Sequence, residues 1–295
     1  MTNGESHPLD LVVRLLDLEP IEVNLFRGVS PQENRQRVFG GQVAGQALVA
    51  AARTVDDPQR MVHSLHAYFL RPGDPSIPIL YEVDRIRDGR SFTTRRVVGI
   101  QHGRAIFNLA ASFHVAEDGF THQLAMPDVP APETLEDQEA YVRRVVPELS
   151  PQLAFFLERV RPWRFRPVEL RDPHVFEAKP ARRRIWFRLD GELPDDDALH
   201  RALLTYVSDY NLLDVATMPH GRTHIDLTMA SIDHALWFHR PMRVNDWLLY
   251  DIESPSACGA RGFCRGSVFT REGVLVASVT QEGLIRRRET KFVLK

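Results

Sequence analysis

Apolar residues recur at helical spacing in the second half of the chain, where the pattern predicts a long helix from Ala198 to Met218. Its apolar face consists of Leu199, Ala202, Leu203, Tyr206, Tyr210 and Leu213. Asp209 lies on the flank of this face. A carboxylate in that place is either a solvated or capped side chain or a desolvated catalytic group, and its position alone favours the first interpretation.

Two segments nearer the N-terminus show the same helical spacing. Residues 9–18 predict a short amphipathic helix that ends before Pro20. The segment from Gln42 to Val55 predicts a helix rich in glycine and alanine, whose small side chains let its backbone approach a packing partner closely. We interpret it as a core helix, because it contains neither the G-x-G-x-x-G pattern nor a P-loop.

From Val62 onward, the pattern changes to that of half-buried strands. Turn signals at Pro72-Gly73-Asp74, Asp88-Gly89 and His102-Gly103 separate the apolar segments. The sequence therefore predicts an antiparallel meander that follows the small-residue helix.

The second half of the chain repeats this order of helix and meander. Arg71-Pro72 and Arg240-Pro241 lie 169 positions apart, and so do residues 78–81 and 247–250. A repeat of this length indicates a duplicated domain rather than a solenoid unit. Each copy is a helix packed on an antiparallel sheet, an α+β layer, and two copies can pair their edge strands.

The region between the copies predicts a connection. Residues 126–133 are rich in proline and predict an extended linker, and residues 134–160 predict a linker helix. We therefore divide the chain into an N-terminal unit (1–125), a linker segment (126–184) and a C-terminal unit (185–295).

Composition narrows the possible functions. Of the 295 residues, 43% are hydrophobic and 26% are charged, as in ordinary globular proteins. The 37 lysines and arginines nearly balance the 39 aspartates and glutamates, so no basic surplus indicates nucleic-acid binding. No apolar run approaches the roughly 20 residues of a membrane span, and the N-terminus lacks the pattern of a secretory signal.

The two cysteines, Cys258 and Cys264, are interpreted as lying on one strand. They would then face the same side about 20 Å apart, which is too far for a disulfide. Two thiols alone form no metal site, so we expect a reducing compartment and no bound metal.

Seven blocks of the sequence are distinctive: FGGQVAGQAL, VHSLHAYFLRPGD, RDGRSFTTRRV, YVSDYNLL, SIDHALWFHRP, WLLYDIESPSACGARGF and VLVASVTQEGLIR. In this order, they are similar to the acyl-CoA thioesterase II family. The resemblance spans roughly residues 9 to 288 and is weakest between about 134 and 184. It implies a double hotdog fold, with one helix and one antiparallel meander in each unit.

The resemblance also implies three catalytic residues. The family's aspartate falls on Asp209 in YVSDYN and its glutamine on Gln281 in SVTQEG. The family's threonine position falls on Ser231 in MASIDH, where serine keeps the hydroxyl but lacks the methyl group that restricts the rotamer. The helix of the N-terminal unit has no aspartate at the corresponding place, so we expect that unit to be catalytically silent.

Thioester hydrolysis needs an activated water, a group that orients this water and donors for the developing oxyanion. Asp209 can accept a proton from the water, Gln281 and Ser231 can position it, and backbone N–H groups at the start of a hotdog helix can bind the carbonyl oxygen. The resemblance therefore implies direct attack of water on a fatty acyl-CoA of medium to long chain length, without a covalent acyl-enzyme and without a cofactor.

Other functions fit the residues less well. A serine-hydrolase triad is disfavoured, because in a regular strand His234 points away from Ser231 and Asp233, and no G-x-S-x-G elbow occurs. A hotdog enoyl-CoA hydratase needs a histidine after the aspartate, and the next one after Asp209 is His220. A non-catalytic acyl-CoA-binding protein is a further alternative.

Two arginine runs, Arg182–Arg184 and Arg286–Arg288, are candidates for contacts with the phosphates of coenzyme A. An acyl tunnel needs apolar walls, for which the candidates are Tyr210, Leu236, Trp237 and Phe238.

The last residues, Val293-Leu294-Lys295, differ from the peroxisomal Ser-Lys-Leu signal that some family members carry. We therefore expect a cytoplasmic location. We also expect a homo-oligomer that forms through sheet edges, with no nucleic-acid or membrane partner.

Overall fold

The structure, a computed structural model, describes residues 8–31, 37–145, 162–172, 175–222 and 226–288. Its α-helices are α1 (Pro8–Leu16), α2 (Gly40–Ala52), α3 (Gln138–Val145) and α4 (Asp197–Ser208), and 3-10 helices span Pro132–Thr134 and Leu213–His220. In this described part of the chain, no helix combines the length and apolar character that crossing a membrane requires.

The strands form one antiparallel sheet. They are β1 (Glu19–Glu22), β2 (Leu25–Gly28), β3 (Arg60–Phe69), β4 (Ile79–Asp88), β5 (Phe92–Gln101), β6 (Arg104–Val115), β7 (Trp163–Pro167), β8 (Arg182–Leu189), β9 (Leu227–Ser231), β10 (Asp233–Phe238), β11 (Leu248–Cys258), β12 (Arg261–Thr270) and β13 (Leu275–Arg287). Their order in the sheet is β1-β2-β4-β5-β6-β3-β10-β13-β12-β11-β8-β7, and β9 also pairs with β13. The meander predicted after α2 is present as β3 to β6.

The two halves of the chain meet where β3 pairs with β10. His66 lies opposite Ala235, and Leu65 lies opposite Leu236. Each of these strands would otherwise expose unpaired backbone groups at a sheet edge. The halves therefore cover one another's edges, as the internal repeat predicts.

The predicted linker segment, 126–184, contributes to the sheet. It contains α3 and β7, and β7 pairs with β8 at one end of the strand order. The linker helix predicted for residues 134–160 begins in the structure at Gln138, and the part of it beyond Val145 lies outside the described residues.

Helices α2 and α4 pack closely against each other. A Cβ atom on Gly41 would overlap with the backbone oxygen of Tyr206, and one on Gly45 would lie 3.3 Å from the backbone oxygen of Ala202. The order of these contacts shows that the helices run antiparallel. The close approach that the small residues of α2 predict is therefore confirmed.

A buried tyrosine supports each of these helices from the sheet. Tyr81 in β4 donates a hydrogen bond to Oε1 of Gln46 in α2 at 2.7 Å. Tyr250 in β11, which is 169 positions later, donates to the carbonyl oxygen of Ser208 in α4 at 3.1 Å. Burial raises the pKa of both phenols well above its usual value, so both hydroxyls remain protonated donors.

The predicted helix from Ala198 to Met218 is wrong in its second half. Helix α4 ends at Ser208, Asp209 is its C-cap residue, and Asn211 adopts a left-handed backbone with φ of 64°. The last carbonyl groups of a helix need partners outside it, and the Ser208 carbonyl accepts from the distant Tyr250. The apolar spacing continues past this break because the following 3-10 helix is also buried.

Cys258 and Cys264 lie on two strands rather than on one. Gly259 and Ala260 form a two-residue turn between β11 and β12, with φ of 55° and 59°. Two positive φ angles are the mark of a type I′ hairpin, for which the sequence lacks the usual Asn-Gly or Asp-Gly signal. Both cysteines are free; Cys258 is exposed and Cys264 is buried.

Replacing Ala260 by glycine is expected to stabilise the protein. A non-glycine residue in the left-handed region costs about 1–2 kcal/mol, whereas glycine costs about 0.4–1 kcal/mol through the entropy of the unfolded chain. The free energy of unfolding, measured by urea denaturation, should therefore rise by roughly 0.5–1 kcal/mol. Ala257→Gly, in the adjoining regular strand, is the control and should lower it. A lower value for Ala260→Gly would contradict the turn geometry.

Candidate active site

Asp209 lies between the ends of two helices. It caps the C-terminus of α4, and its Oδ2 accepts a hydrogen bond of 2.9 Å from the backbone N–H of Gly41 in the first turn of α2. The end of α4 carries partial negative charge and the start of α2 carries partial positive charge. The carboxylate is therefore oriented by the α2 amide, at the junction of the two units rather than within one helix.

Gln281 and Ser231 bind the same carboxylate. Gln281 is buried on β13, and its Nε2 donates to Oδ1 of Asp209 at 3.1 Å and to Oγ of Ser231. The Ser231 hydroxyl lies 3.4 Å from the same Oδ1. The three residues implied by the family resemblance thus form one hydrogen-bonded group, drawn from the ends of α4 and β9 and from β13.

An irregularity between β9 and β10 decides which side chains face this group. Ser231 lies opposite Gly283 and Ala235 opposite Thr280, so a step of four residues spans a step of three on β13. The extra residue is a β-bulge, which interrupts the alternation of side chains. The prediction that His234 points away from Ser231 is therefore wrong, because both side chains bond to Gln281.

Two further polar residues lie behind Gln281. Nδ1 of His234 is 3.2 Å from Oε1 of Gln281, and Nε2 of His234 is 2.9 Å from Oγ of Ser208. All three side chains are buried, with 1% of each residue exposed. Burial lowers the pKa of the His234 imidazole, although nearby Asp209 acts in the opposite direction, so the ring is neutral at about pH 7.

Gly41 and Ser208 were not predicted as parts of the site. Both lie in the distinctive blocks of the sequence: Ser208 directly precedes Asp209 in YVSDYN, and Gly41 is the second glycine of FGGQ. Proximity to a motif residue was the available signal. The N-terminal unit, expected to be catalytically silent, contributes a backbone N–H to the site; the absence of a catalytic side chain in that unit stays a prediction.

A cleft is lined in part by Tyr210 and Asn211, which directly follow Asp209 in the sequence. It offers about 90 Å³ of space. Its lining is mixed, with the apolar Val142 and the aromatic Trp163, Phe165 and Tyr210, the polar Gln138 and Asn211, and the charged Asp137, Glu139, Arg164 and Asp214. The Tyr210 ring lies 4.5 Å from the Phe39 ring and 5.7 Å from the Phe165 ring, measured between centroids. The walls thus come from α3 and β7 of the predicted linker segment and from the residues that follow Asp209.

The four residues predicted to form the walls of an acyl tunnel do not lie together in the structure. Tyr210 lines the cleft. Leu236 and Phe238 are buried in the core on the same face of β10 as His234. Trp237 lies on the opposite face, where its ring is 5.0 Å from the ring of His66.

The two arginine runs differ in their surroundings. Arg182 and Arg184 both bond to Asp251, at 2.6 Å and 3.3 Å, which offsets their charge. Arg286 and Arg287 end β13 and are exposed, opposite β9.

The arrangement favours activation of a water over nucleophilic catalysis. Both ring nitrogens of His234 are engaged, by Ser208 and Gln281, so the ring does not serve as a base for the Ser231 hydroxyl. A carboxylate acceptor and an amide donor that converge can instead hold and deprotonate a water. Within the described residues, no group of three or more histidine, cysteine, aspartate or glutamate side chains could hold a metal ion.

Comparison with known proteins agrees with this fold. The acyl-CoA thioesterase family matches residues 155–284, and the family described as the acyl-CoA thioesterase N-terminal domain matches residues 30–114. The chain is 41% identical over 286 residues to acyl-CoA thioesterase 2 of Haemophilus influenzae, which covers 96% of this chain and 100% of that protein.

Solved structures extend the comparison to the fold. An acyl-CoA thioesterase II from Mycobacterium marinum is 45% identical and superposes with a TM-score of 0.78, covering 94% of this chain and 99% of that one. A conserved protein with a hotdog fold from Alicyclobacillus acidocaldarius, at 20% identity, superposes with a TM-score of 0.75 over 94% of this chain and 98% of that one. The predicted α+β double hotdog fold and the prediction of an acyl-CoA thioester hydrolase are confirmed. The chain belongs to the acyl-CoA thioesterase II family.

Proposed function

We propose that this chain hydrolyses fatty acyl-CoA of medium to long chain length to fatty acid and coenzyme A by direct attack of water. The observation that carries the proposal is the convergence of the Asp209 carboxylate, the Gln281 amide and the Ser231 hydroxyl. The acyl-CoA substrate class comes from the family.

Each of the three side chains has a role in this mechanism. Asp209 accepts a proton as the water attacks the thioester carbonyl carbon. The C–S bond then breaks, and the proton taken up by Asp209 passes to the leaving sulfur of coenzyme A. The two N–H groups of Gln281 bind Asp209 and Ser231, so this amide holds in place the carboxylate and the hydroxyl between which the water can bind. The Ser231 hydroxyl is the third polar group that positions the water. The start of α2, with its partial positive charge, lies beside the carboxylate and favours the developing oxyanion.

The aromatic cleft is the proposed acyl site. Its walls include Trp163, Phe165 and Tyr210, and Tyr210 directly follows Asp209 in the sequence. Each buried methylene group contributes about 0.8 kcal/mol to binding. Affinity should therefore rise with acyl length until the cleft is filled.

Arg286 and Arg287 are the proposed contacts for the coenzyme A phosphates. Both are exposed at the end of the strand that carries Gln281. The other run is a weaker candidate, because Asp251 already pairs with Arg182 and Arg184.

The two alternative functions fit the site less well. His234 does bring an imidazole near Asp209, as a hydratase would require, but both its nitrogens bond to buried protein groups. A non-catalytic binding protein would have no use for a carboxylate, an amide and a hydroxyl directed at one point.

The proposal is tested by following thiol release from a series of acyl-CoAs of increasing length. We expect turnover to peak at medium to long chains, with quenched single-turnover samples in ¹⁸O-labelled water showing labelled fatty acid and no acyl adduct on the protein by mass spectrometry. An adduct would overturn the direct attack of water. Loss of enoyl absorbance without thiol release would identify a hydratase, and saturable binding without either reaction would identify a binding protein.

Two expectations from the sequence stay predictions: the cytoplasmic location and the homo-oligomeric state. The sheet ends at β1 and β7 are where the oligomer is expected to form.

A further inference from the structure

We propose that Ser208 and His234 are positioning residues, which form a one-way chain of hydrogen bonds that holds the Gln281 amide with its N–H groups toward Asp209 and Ser231. The chain runs from Ser208 through His234 to Gln281 and ends at the Asp209 carboxylate. This inference rests on the proposed function of Asp209 and Gln281, and it explains how the orientation of the amide is maintained.

The direction of this hydrogen-bond chain follows from its last member, the Asp209 carboxylate. An ionised carboxylate only accepts hydrogen bonds, so the atom of Gln281 that lies 3.1 Å from Asp209 is the amide nitrogen. Its other atom, Oε1, therefore faces His234 at 3.2 Å. Since Oε1 only accepts, Nδ1 of His234 must carry a hydrogen.

At His234, the neutral charge of the ring decides which ring nitrogen donates a hydrogen bond and which accepts one. A neutral imidazole carries one ring hydrogen, and here that hydrogen is on Nδ1, so Nε2 is an acceptor. The Ser208 hydroxyl has one hydrogen and two acceptors in range, Nε2 of His234 at 2.9 Å and the carbonyl oxygen of Thr205 at 3.0 Å. Because Nε2 has no hydrogen to give, Ser208 must donate to it.

Because Gln281 is buried, the orientation of its amide depends on the hydrogen bond from His234. Gln281 is 1% exposed, so its Oε1 would lack a partner if His234 did not donate to it. A buried acceptor without a donor is costly, and turning the amide over would place Oε1 against the Asp209 carboxylate. Either response disturbs the N–H groups that hold Asp209 and Ser231 in position, whereas the cleft and the exposed arginines stay in place.

Variants at His234 separate positioning from folding. His234→Leu removes the donor and should lower kcat by about 10²-fold, as expected for a misplaced catalytic group, with KM within about twofold. His234→Asn keeps an N–H close to the position of Nδ1–H and should recover most of the lost kcat. His239→Leu is the matched control, because His239, like His234, bonds to a polar residue of β13, here Ser278 at 2.9 Å, and it should leave kcat unchanged.

A direct readout comes from ¹⁵N NMR of the wild-type protein labelled at histidine, with the His234 signal assigned by its loss in His234→Asn. The hydrogen is expected on Nδ1, the less common tautomer of free histidine. A hydrogen on Nε2 would overturn the proposal, and so would wild-type kcat in a folded His234→Leu. Equal loss of kcat in folded Leu and Asn variants would do the same.

The test is distinct from that of the proposed function. If Asp209→Asn retains wild-type turnover, the proposed mechanism fails whatever the tautomer of His234. If His234→Leu does not fold, the tautomer and the His234→Asn kinetics still decide the proposal.

Discussion

Replacing Asp209 by asparagine is expected to lower kcat for acyl-CoA hydrolysis by about 10²- to 10⁴-fold, the range typical of a lost general base. The substitution keeps the shape of the side chain and removes its charge. In the wild-type protein, both carboxylate oxygens accept hydrogen bonds, one from Gly41 and the other from Gln281. The substitution replaces one of these oxygens by an NH₂ group. One of these two donors would then face another donor. Steady-state thiol release, with circular dichroism to verify folding, measures the effect.

A matched control is available on the neighbouring strand. Asp233 uses Oδ1 to accept from the backbone N–H of Glu282 at 2.6 Å, and asparagine can keep that bond. Asp233→Asn removes the same charge from the same part of the sheet, and kcat should stay within about threefold of wild type, less than 1 kcal/mol in the barrier. A folded Asp209→Asn protein with kcat in that same range would refute Asp209 as the base.

Replacing Gly41 by alanine is expected both to destabilise the protein and to reduce turnover. The added Cβ would overlap with the backbone oxygen of Tyr206 and lie 2.6 Å from the Phe39 ring. Helix α2 must then move away from α4, which strains the packing by about 1–3 kcal/mol and exceeds the roughly 1 kcal/mol that alanine gains in helix propensity. The same movement pulls the Gly41 N–H from Asp209, so kcat should fall by about 10-fold or more.

Gly45→Ala, one turn later on the same helix, is the control for this prediction. Its Cβ would lie 3.1 Å from the flexible Leu16 side chain and 3.3 Å from the backbone oxygen of Ala202, a mild contact. We expect a free energy of unfolding within about 1 kcal/mol of wild type and unchanged kcat. Urea denaturation and thiol release are measured on both variants. Equal free energies of unfolding and equal kcat values for the two would show that the site does not depend on the close approach at Gly41.

The order of elements and the three central site residues could be predicted from the sequence. The small-residue helix, the meander and the repeat were readable because each depends on a local period of apolar positions or on direct self-similarity. Asp209, Gln281 and Ser231 were found through their motifs, and the structure places them within hydrogen-bonding distance of one another. Their catalytic roles stay a proposal.

The end of α4 was decided by the tertiary structure. Apolar spacing reports which side chains are buried, and it continues through Tyr210 and Leu213 although the α-helix stops at Ser208. The carbonyl of Ser208 finds its partner in Tyr250, 42 positions later in the chain. No local pattern records such a bond.

The surroundings of Gln281 were decided in the same way. Strand alternation predicts that Ser231 and His234 face opposite sides, and it fails because the register against β13 inserts a bulge between them. Gly41 joins the site because a helix of the other half approaches closely enough to present its N–H. The sequence by itself thus determined the elements, the repeat and the motif residues, since these depend on local spacing. The tertiary structure alone decided the end of the helix, the bulge and the buried hydrogen-bond chain, since each depends on backbone or side-chain partners from distant segments.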